Sequence, residues 1–343
     1  MKGIKRQRLF YIDCIRCLAC FLVIVIHSPM PGADNIEVVV SMVNFLAPPC
    51  NALFFMVSGA LLLPVNSNMM SFYKHRLSKL ATPLLLWTFF YVCYNVITGK
   101  TQMNELLKVV CSIPFSPQGN GVLWFVYVIM GLYLIAPIIS PWLKQIGRRE
   151  LQLVLFLWVI VCMYPTLSHW LIISEGHHNG LYYFGGYLVY FILGYYLRYN
   201  VVSFAYNNFV YVLFIAIPII TYGAGKYCNW EIIEFTNLDN QFLSVLVISM
   251  AIGWYGLIKS INPKSLPLSM IRCVSNFSKY SFGIYLVHIF VMRECLWKQQ
   301  WMGQLSNSAQ IPATIILTLI ISYLIVYLIS LLPFSEYTIA YKK

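Results

Sequence analysis

Residues 9–28, LFYIDCIRCLACFLVIVIHS, hold an arginine and a histidine inside one apolar run. A run of this length is a candidate membrane span, and an ionisable side chain at membrane depth is costly and usually functional. Arg16 and His27 are eleven positions apart. At ~100° per residue they return to nearly the same helix face, about 16 Å apart along the axis. One groove would touch both. Asp13, one turn before Arg16, is placed to neutralise it. The plainer reading is that Arg16 snorkels to the headgroups and His27 ends the helix.

The basic flank ahead of this run resembles a signal peptide, yet the run carries Arg16 and has no small-residue cleavage site, so it reads as a retained span. Over the 343 residues, 60% are apolar and 10% charged, and the mean hydropathy is +0.73. Such a composition indicates an all-α, polytopic integral membrane protein. Apolar runs suggest about ten transmembrane helices, near 10–28, 43–63, 80–98, 122–140, 151–172, 181–199, 209–225, 242–260, 280–297 and 311–333. No repeat, low-complexity tract or long linker divides the chain, which reads as a single membrane domain over 1–343. Segments 99–121 and 226–241 are long enough to form a small outer lid.

A net charge of +12 raises nucleic acid as a partner, but the charge follows alternate loops. One side holds seventeen Lys and Arg: four at positions 2–8, three at 74–79, three at 144–149, Arg198, four at 259–279, and Lys342 and Lys343. The other side holds five: Lys100, Lys108, Lys226, Arg293 and Lys298. With Arg16 in the membrane, all 23 are placed. The positive-inside rule then puts both termini in the cytoplasm and makes membrane lipid, not nucleic acid, the surrounding partner. Arg198 alone marks the loop between the sixth and seventh runs.

The ten cysteines are mostly scattered through apolar runs. They read as reduced or lipid-buried. Cys14, Cys17 and Cys20 have cluster-ligand spacing, but they lie in an apolar helix, so no metal is expected.

In the basic segment FYKHRLSKLATP, Arg76 and Lys79 are three apart and share a helix face, which suits a phosphate-bearing ligand. Positive-inside charge or anionic lipid headgroups would explain them equally. Pro83 follows and is expected to kink the third span. Ser58 and Gly59 in the second span suit close helix packing. Trp124 lies in GVLWFVYVIMGLYLIAP, and His288, in KYSFGIYLVHIF, falls near mid-membrane as a base, a relay or a packing residue. Tyr183, Tyr187 and Tyr190 share a face that suits sugar stacking, although an aromatic belt is the more common cause.

Taken together, these segments resemble the membrane acyltransferase family 3 over nearly the whole chain. The family's hallmark is an Arg and a His with ten residues between them in the first span, preceded by an Asp, and Asp13, Arg16 and His27 match it. FFMVSG at Phe54 to Gly59, the cations Arg76 and Lys79, LWF at 123–125 and YSFGIYLVH at 280–288 follow in order. Two positions depart from the pattern: Lys79 stands where the family has a second arginine, and Val122 where many members have a polar residue. Lys79 keeps the charge but loses the bidentate fork.

The resemblance implies an O-acyltransferase of the bacterial inner membrane. It would move an acetyl group from cytoplasmic acetyl-CoA, the donor substrate, to a hydroxyl of a surface glycan or lipid-linked sugar. The short chain, with no extra periplasmic domain expected, is similar to the stand-alone members acting on enterobacterial common antigen, O-antigen or capsule.

Such a transfer needs a base beside the acceptor hydroxyl and a stabilising cation or donor for the thioester oxygen. His27 is the candidate base. Arg16, three turns away, suits the CoA arm or Asp13, and Arg76 and Lys79 suit the CoA phosphates. His288, Ser58, Trp124 and Tyr187 are additional candidates. Two other classes stay open. A polysaccharide or lipid-linked sugar transporter would share the composition, although no internal symmetry is visible. A non-catalytic membrane partner or sensor would show no donor-dependent transfer.

Overall fold

The computed structural model describes residues 9–32, 38–117, 121–170, 186–200, 207–227 and 241–341. Helices α1 (Phe10–His27), α2 (Val38–Leu46), α3 (Pro49–Leu62), α4 (Met69–Ile97) and α5 (Leu106–Ser112) form the first half. Next come α6 (Trp124–Gln145), α7 (Arg148–Trp170), α8 (Leu188–Tyr199), α9 (Asn207–Tyr227) and α10 (Val245–Ser260). The chain closes with α11 (Leu268–Phe290), α12 (Gln300–Gly303), α13 (Asn307–Ser330) and α14 (Ser335–Ile339). No strand occurs among the described residues, and the described part of each predicted apolar run is mostly helical. In the described residues, six helical stretches are long and apolar enough to cross a membrane: α1, α2 with α3, α4, the stretch ending in α6, α9 and α13. Of the rest, α8 and α10 are shorter, and α7 and α11 open on polar residues.

Local chemistry sets several boundaries. Pro48 and Pro49, which lack backbone donors, divide α2 from α3, and Pro49 opens α3 at a position where no donor is needed. The Asn68 side chain caps α4 by accepting from the Met70 amide, and Ser244 caps α10 through Val247. Pro83 lies within α4, which continues through it; a membrane helix tolerates proline when neighbouring groups compensate. Helix α11 begins twelve residues before the apolar run at 280. Its first turns carry Ser269, Arg272, Ser275 and Asn276, which hydropathy passes over.

Along α13 the packing reverses the pattern of a water-soluble protein. Gln310, Thr314, Thr318, Ser322, Val326 and Ser330, every fourth residue of α13, are buried, while Ile316, Ile320, Leu324 and Leu328 are exposed. Polar groups therefore face the bundle and apolar ones the lipid. Gln310 donates to Ser28 O at 3.1 Å and to Thr314 Oγ1 at 2.6 Å, tying α13 to the end of α1. Since lipid is as apolar as a core, close backbone approach has to hold helices together. At Gly59 a Cβ would fall on the Phe191 carbonyl, and at Gly194 on that of Met56, so α3 and α8 pack backbone to backbone. Thiols seal the α1–α11 contact: Cys17 Sγ donates to Val274 O at 3.5 Å and Cys20 Sγ to Ser281 O at 3.7 Å. Cys17 and Cys20 thus serve interhelical packing.

Beyond α11 the helix widens into a π turn, Val291–Leu296, of the kind that often neighbours functional residues. There Glu294 takes Lys100 at 2.6 Å, Lys298 at 2.7 Å and the Tyr94 hydroxyl at 2.6 Å. This cluster fastens the turn to the end of α4.

Candidate functional site

Helices α1, α3, α4, α6, α8 and α11 surround a cleft of about 560 Å³, and residues after α14 complete its wall. Arg16 from α1 lines it beside Arg76 and Lys79 from α4, so three predicted cations meet in one space. Asp13 is there too, nearly sealed from solvent. It accepts from Ser278 Oγ at 2.7 Å and from Ser275 Oγ at 3.3 Å, bonds that lock α1 to α11. Two further cations, Arg198 and Lys279, line the same cleft. Charge counting had absorbed both as loop charges. The signals available were the isolation of Arg198 in its loop and the adjacency of Lys279 to YSFGIYLVH.

Each added cation has a defined seat. Arg198 donates to the Ala60 carbonyl, and its guanidinium carbon lies 4.9 Å from the Tyr199 ring centre. Lys279 Nζ donates to Asn276 Oδ1 at 2.9 Å. Lys79 pairs with Glu336 of α14 at 3.4 Å, and Ile339, Ala340 and Tyr341 line the cleft. With five cations against Asp13, the one acid among the described lining residues, this end of the cleft suits a polyanion.

The opposite end is apolar and aromatic. Phe54, Phe125 and Tyr285 line it; the Phe54 and Phe125 ring centres are 5.6 Å apart, and so are those of Phe125 and Tyr285. Ser58 also lines the cleft while its neighbour Gly59 makes the α3–α8 contact, so the pair divides between site and packing. Behind Tyr285 stands His288, fully buried, with its ring centre 5.7 Å from that of Tyr285 and 5.7 Å from that of His27. Two histidines distant in sequence therefore face each other, tilted by 32°. Neither lines the cleft.

The His288 ring has a fixed hydrogen-bonding sense. Its Nδ1 lies 2.6 Å from the Tyr285 carbonyl oxygen, which only accepts, so Nδ1 carries the proton and Nε2 presents a lone pair. Among the described residues that Nε2 is buried with no hydrogen-bond partner. That lone pair is available to accept a hydrogen bond.

Trp124 and Tyr187 belong to an aromatic group beside this region. Their ring centres are 5.8 Å apart; Tyr187 also approaches Phe55 at 5.1 Å, and Trp124 approaches Phe242 at 5.7 Å. Tyr190 is buried and donates to Phe242 O at 2.8 Å, which makes it a packing residue. Tyr183 and most of 226–241 lie outside the described residues.

Among protein families, a model described as an acyltransferase domain matches residues 9–327. No curated protein and no solved structure matches the chain.

Proposed function

The chain belongs to the membrane acyltransferase family 3, and from that premise we propose that it takes an acetyl group from cytoplasmic acetyl-CoA and gives it to a hydroxyl of a surface glycan or lipid-linked sugar. One observation supports this reading above the rest: a cleft with five cations at one end stops at aromatic rings that touch a histidine pair. A CoA thioester has that same polarity, phosphates at one end and an uncharged acyl group at the other. Arg76 and Lys79, with Arg16, Arg198 and Lys279 around them, would hold the phosphates by charge-assisted bonds. The pantetheine arm would run past Ser58 toward Phe125.

Chemistry follows at the aromatic end. The acceptor oxygen attacks the thioester carbonyl, forming a C–O bond as the C–S bond breaks. His27 takes the hydroxyl proton and returns it to the leaving thiolate, so the products are an ester and a free thiol. His288, through Nε2, would orient His27 or share its proton. Phe125 and Tyr285 stand between cleft and histidines, and their rotation on donor binding would join the two spaces. We place the chain in the bacterial inner membrane with ten crossings, both termini and the cationic mouth in the cytoplasm, and the acceptor approaching from outside near Trp124 and Tyr187.

Purified protein incubated with acetyl-labelled acetyl-CoA and a surface-glycan acceptor tests the reaction. Label is expected on the glycan in amounts that follow donor and enzyme; glycan that stays unlabelled, with donor intact, would exclude it. Mass spectrometry of surface glycan from cells with and without the chain would identify the acetylated hydroxyl.

A further inference from the structure

A second cavity, of about 410 Å³, opens beside the first and shares Arg76 with it. Its lining is of a different kind. Asn66, Ser67, Ser71 and His75 supply hydrogen-bond donors and acceptors, and Leu62, Pro64, Val65 and Phe72 supply an apolar floor. A flat heterocycle with polar edges matches both: ring faces rest on the floor, and ring nitrogens meet the amide and hydroxyls. The volume lies within the range of roughly 300–1,000 Å³ usual for small-ligand sites.

The framework around this cavity is fixed. The Val65 amide donates to Ser140 Oγ at 2.8 Å, and Ser140 donates to Ala136 O at 2.6 Å, holding the loop between α3 and α4 against α6. Tyr73 donates to Leu134 O at 2.7 Å and secures the first turns of α4 to the same helix. Phe72 and Tyr133, with ring centres 6.4 Å apart, stand between the two cavities, one lining each. Arg76 is the joint around which a bent ligand would pass.

We propose that this second cavity seats the adenine nucleotide of the acyl donor, with the diphosphate turning at Arg76 and the pantetheine arm continuing into the larger cleft. The inference rests on the CoA-donor reading and extends it to a recognition site for the nucleotide. Phosphate is also carried by anionic lipid, and at Arg76 alone the two ligands would look alike. The polar set of Asn66, Ser67, Ser71 and His75 separates them, because a lipid phosphate has no base to place there.

The test uses the full-length protein in neutral-lipid nanodiscs, titrated with CoA, 4′-phosphopantetheine and adenosine 3′,5′-bisphosphate. Unmodified protein is expected to bind CoA at least tenfold more tightly than phosphopantetheine, and the bisphosphate is expected to compete with CoA. In Asn66→Ala and in Ser71→Trp, which narrows the cavity, the ratio of CoA to phosphopantetheine affinity should fall toward one. Equal weakening of both ligands, an unchanged ratio in both variants, or displacement of CoA by phosphatidylglycerol but not by the bisphosphate would overturn the nucleotide site while leaving the CoA reading standing. Absence of CoA binding by the unmodified protein would overturn the CoA reading, and this site with it.

Discussion

His27 and His288 differ in what each contributes, and substitution should separate them. If His27 is the base, His27→Ala should lower acetyl transfer by 10²- to 10⁴-fold with expression and membrane insertion intact. His288→Ala should lower it less, since the second ring acts through the first. Turnover above about a tenth of normal in His27→Ala would remove the assignment, and equal losses in both would mean a shared relay. Donor cations give the opposite signature. Arg76→Ala and Lys79→Ala should weaken acetyl-CoA binding, and added salt should narrow the difference from the unmodified protein by screening the same phosphates. Lys79→Arg should bind as before. Unchanged CoA affinity in the double alanine variant would place the phosphates elsewhere. Arg16 with His27, and Arg76 with Lys79, were legible in sequence because each pair sits on one helix at helical spacing. Arg198 and Lys279, which reach the cleft from α8 and α11, and Glu336, which meets Lys79 from α14, were not, because no local pattern records which helices meet.

Between elements, the most demanding contact is the crossing of α3 and α8, where Gly59 and Gly194 each leave room for the other helix's carbonyl. Gly59→Ala would push α3 away from α8 and carry Phe55 and Ser58 with it. A cost of about 1–3 kcal/mol is expected from such overpacking, read as a lower melting temperature in detergent together with reduced transfer. Gly131→Ala is the control. It lies within α6 with open space where its Cβ would stand, and it should be neutral or slightly stabilising because alanine suits a helix better. If both variants melt alike, the α3–α8 contact is not what holds this part of the bundle. The sequence showed the small pair Ser58–Gly59 and suggested close packing, yet it named no partner, because a glycine marks an approach without saying which chain approaches.

For the molecule as a whole, the order of helices was readable since each apolar run excludes water over a length that only a helix can satisfy in lipid. Their ends were less so: α11 opens on a polar face turned toward Asp13, and hydropathy cannot separate such a face from a loop. Orientation is open to labelling. In a background with native cysteines replaced, Gln102→Cys and Gln299→Cys should react with an impermeant thiol reagent in intact cells. Ser78→Cys and Gln145→Cys should react only after permeabilisation. The inverse pattern would put the cationic cleft outside, where no CoA is available, and end the proposed mechanism.

The aromatic contact between Phe125 and Tyr285 that closes the cleft has an electrical consequence. Moving one elementary charge through the membrane is worth about 2.3 kcal/mol per 100 mV, so what crosses this contact decides whether turnover feels the voltage. In the proposed reaction the CoA phosphates stay on the cationic side. Outward goes an acetyl group, formally a cation once separated from thiolate, and inward goes the proton taken from the acceptor. The two charges cancel. Transfer in proteoliposomes should therefore run at the same rate with or without an imposed potassium diffusion potential, and a rate that followed the voltage would mean that the proton leaves by another route. A bacterium with a collapsed proton-motive force would, on this account, still be able to acetylate its surface for as long as acetyl-CoA lasted.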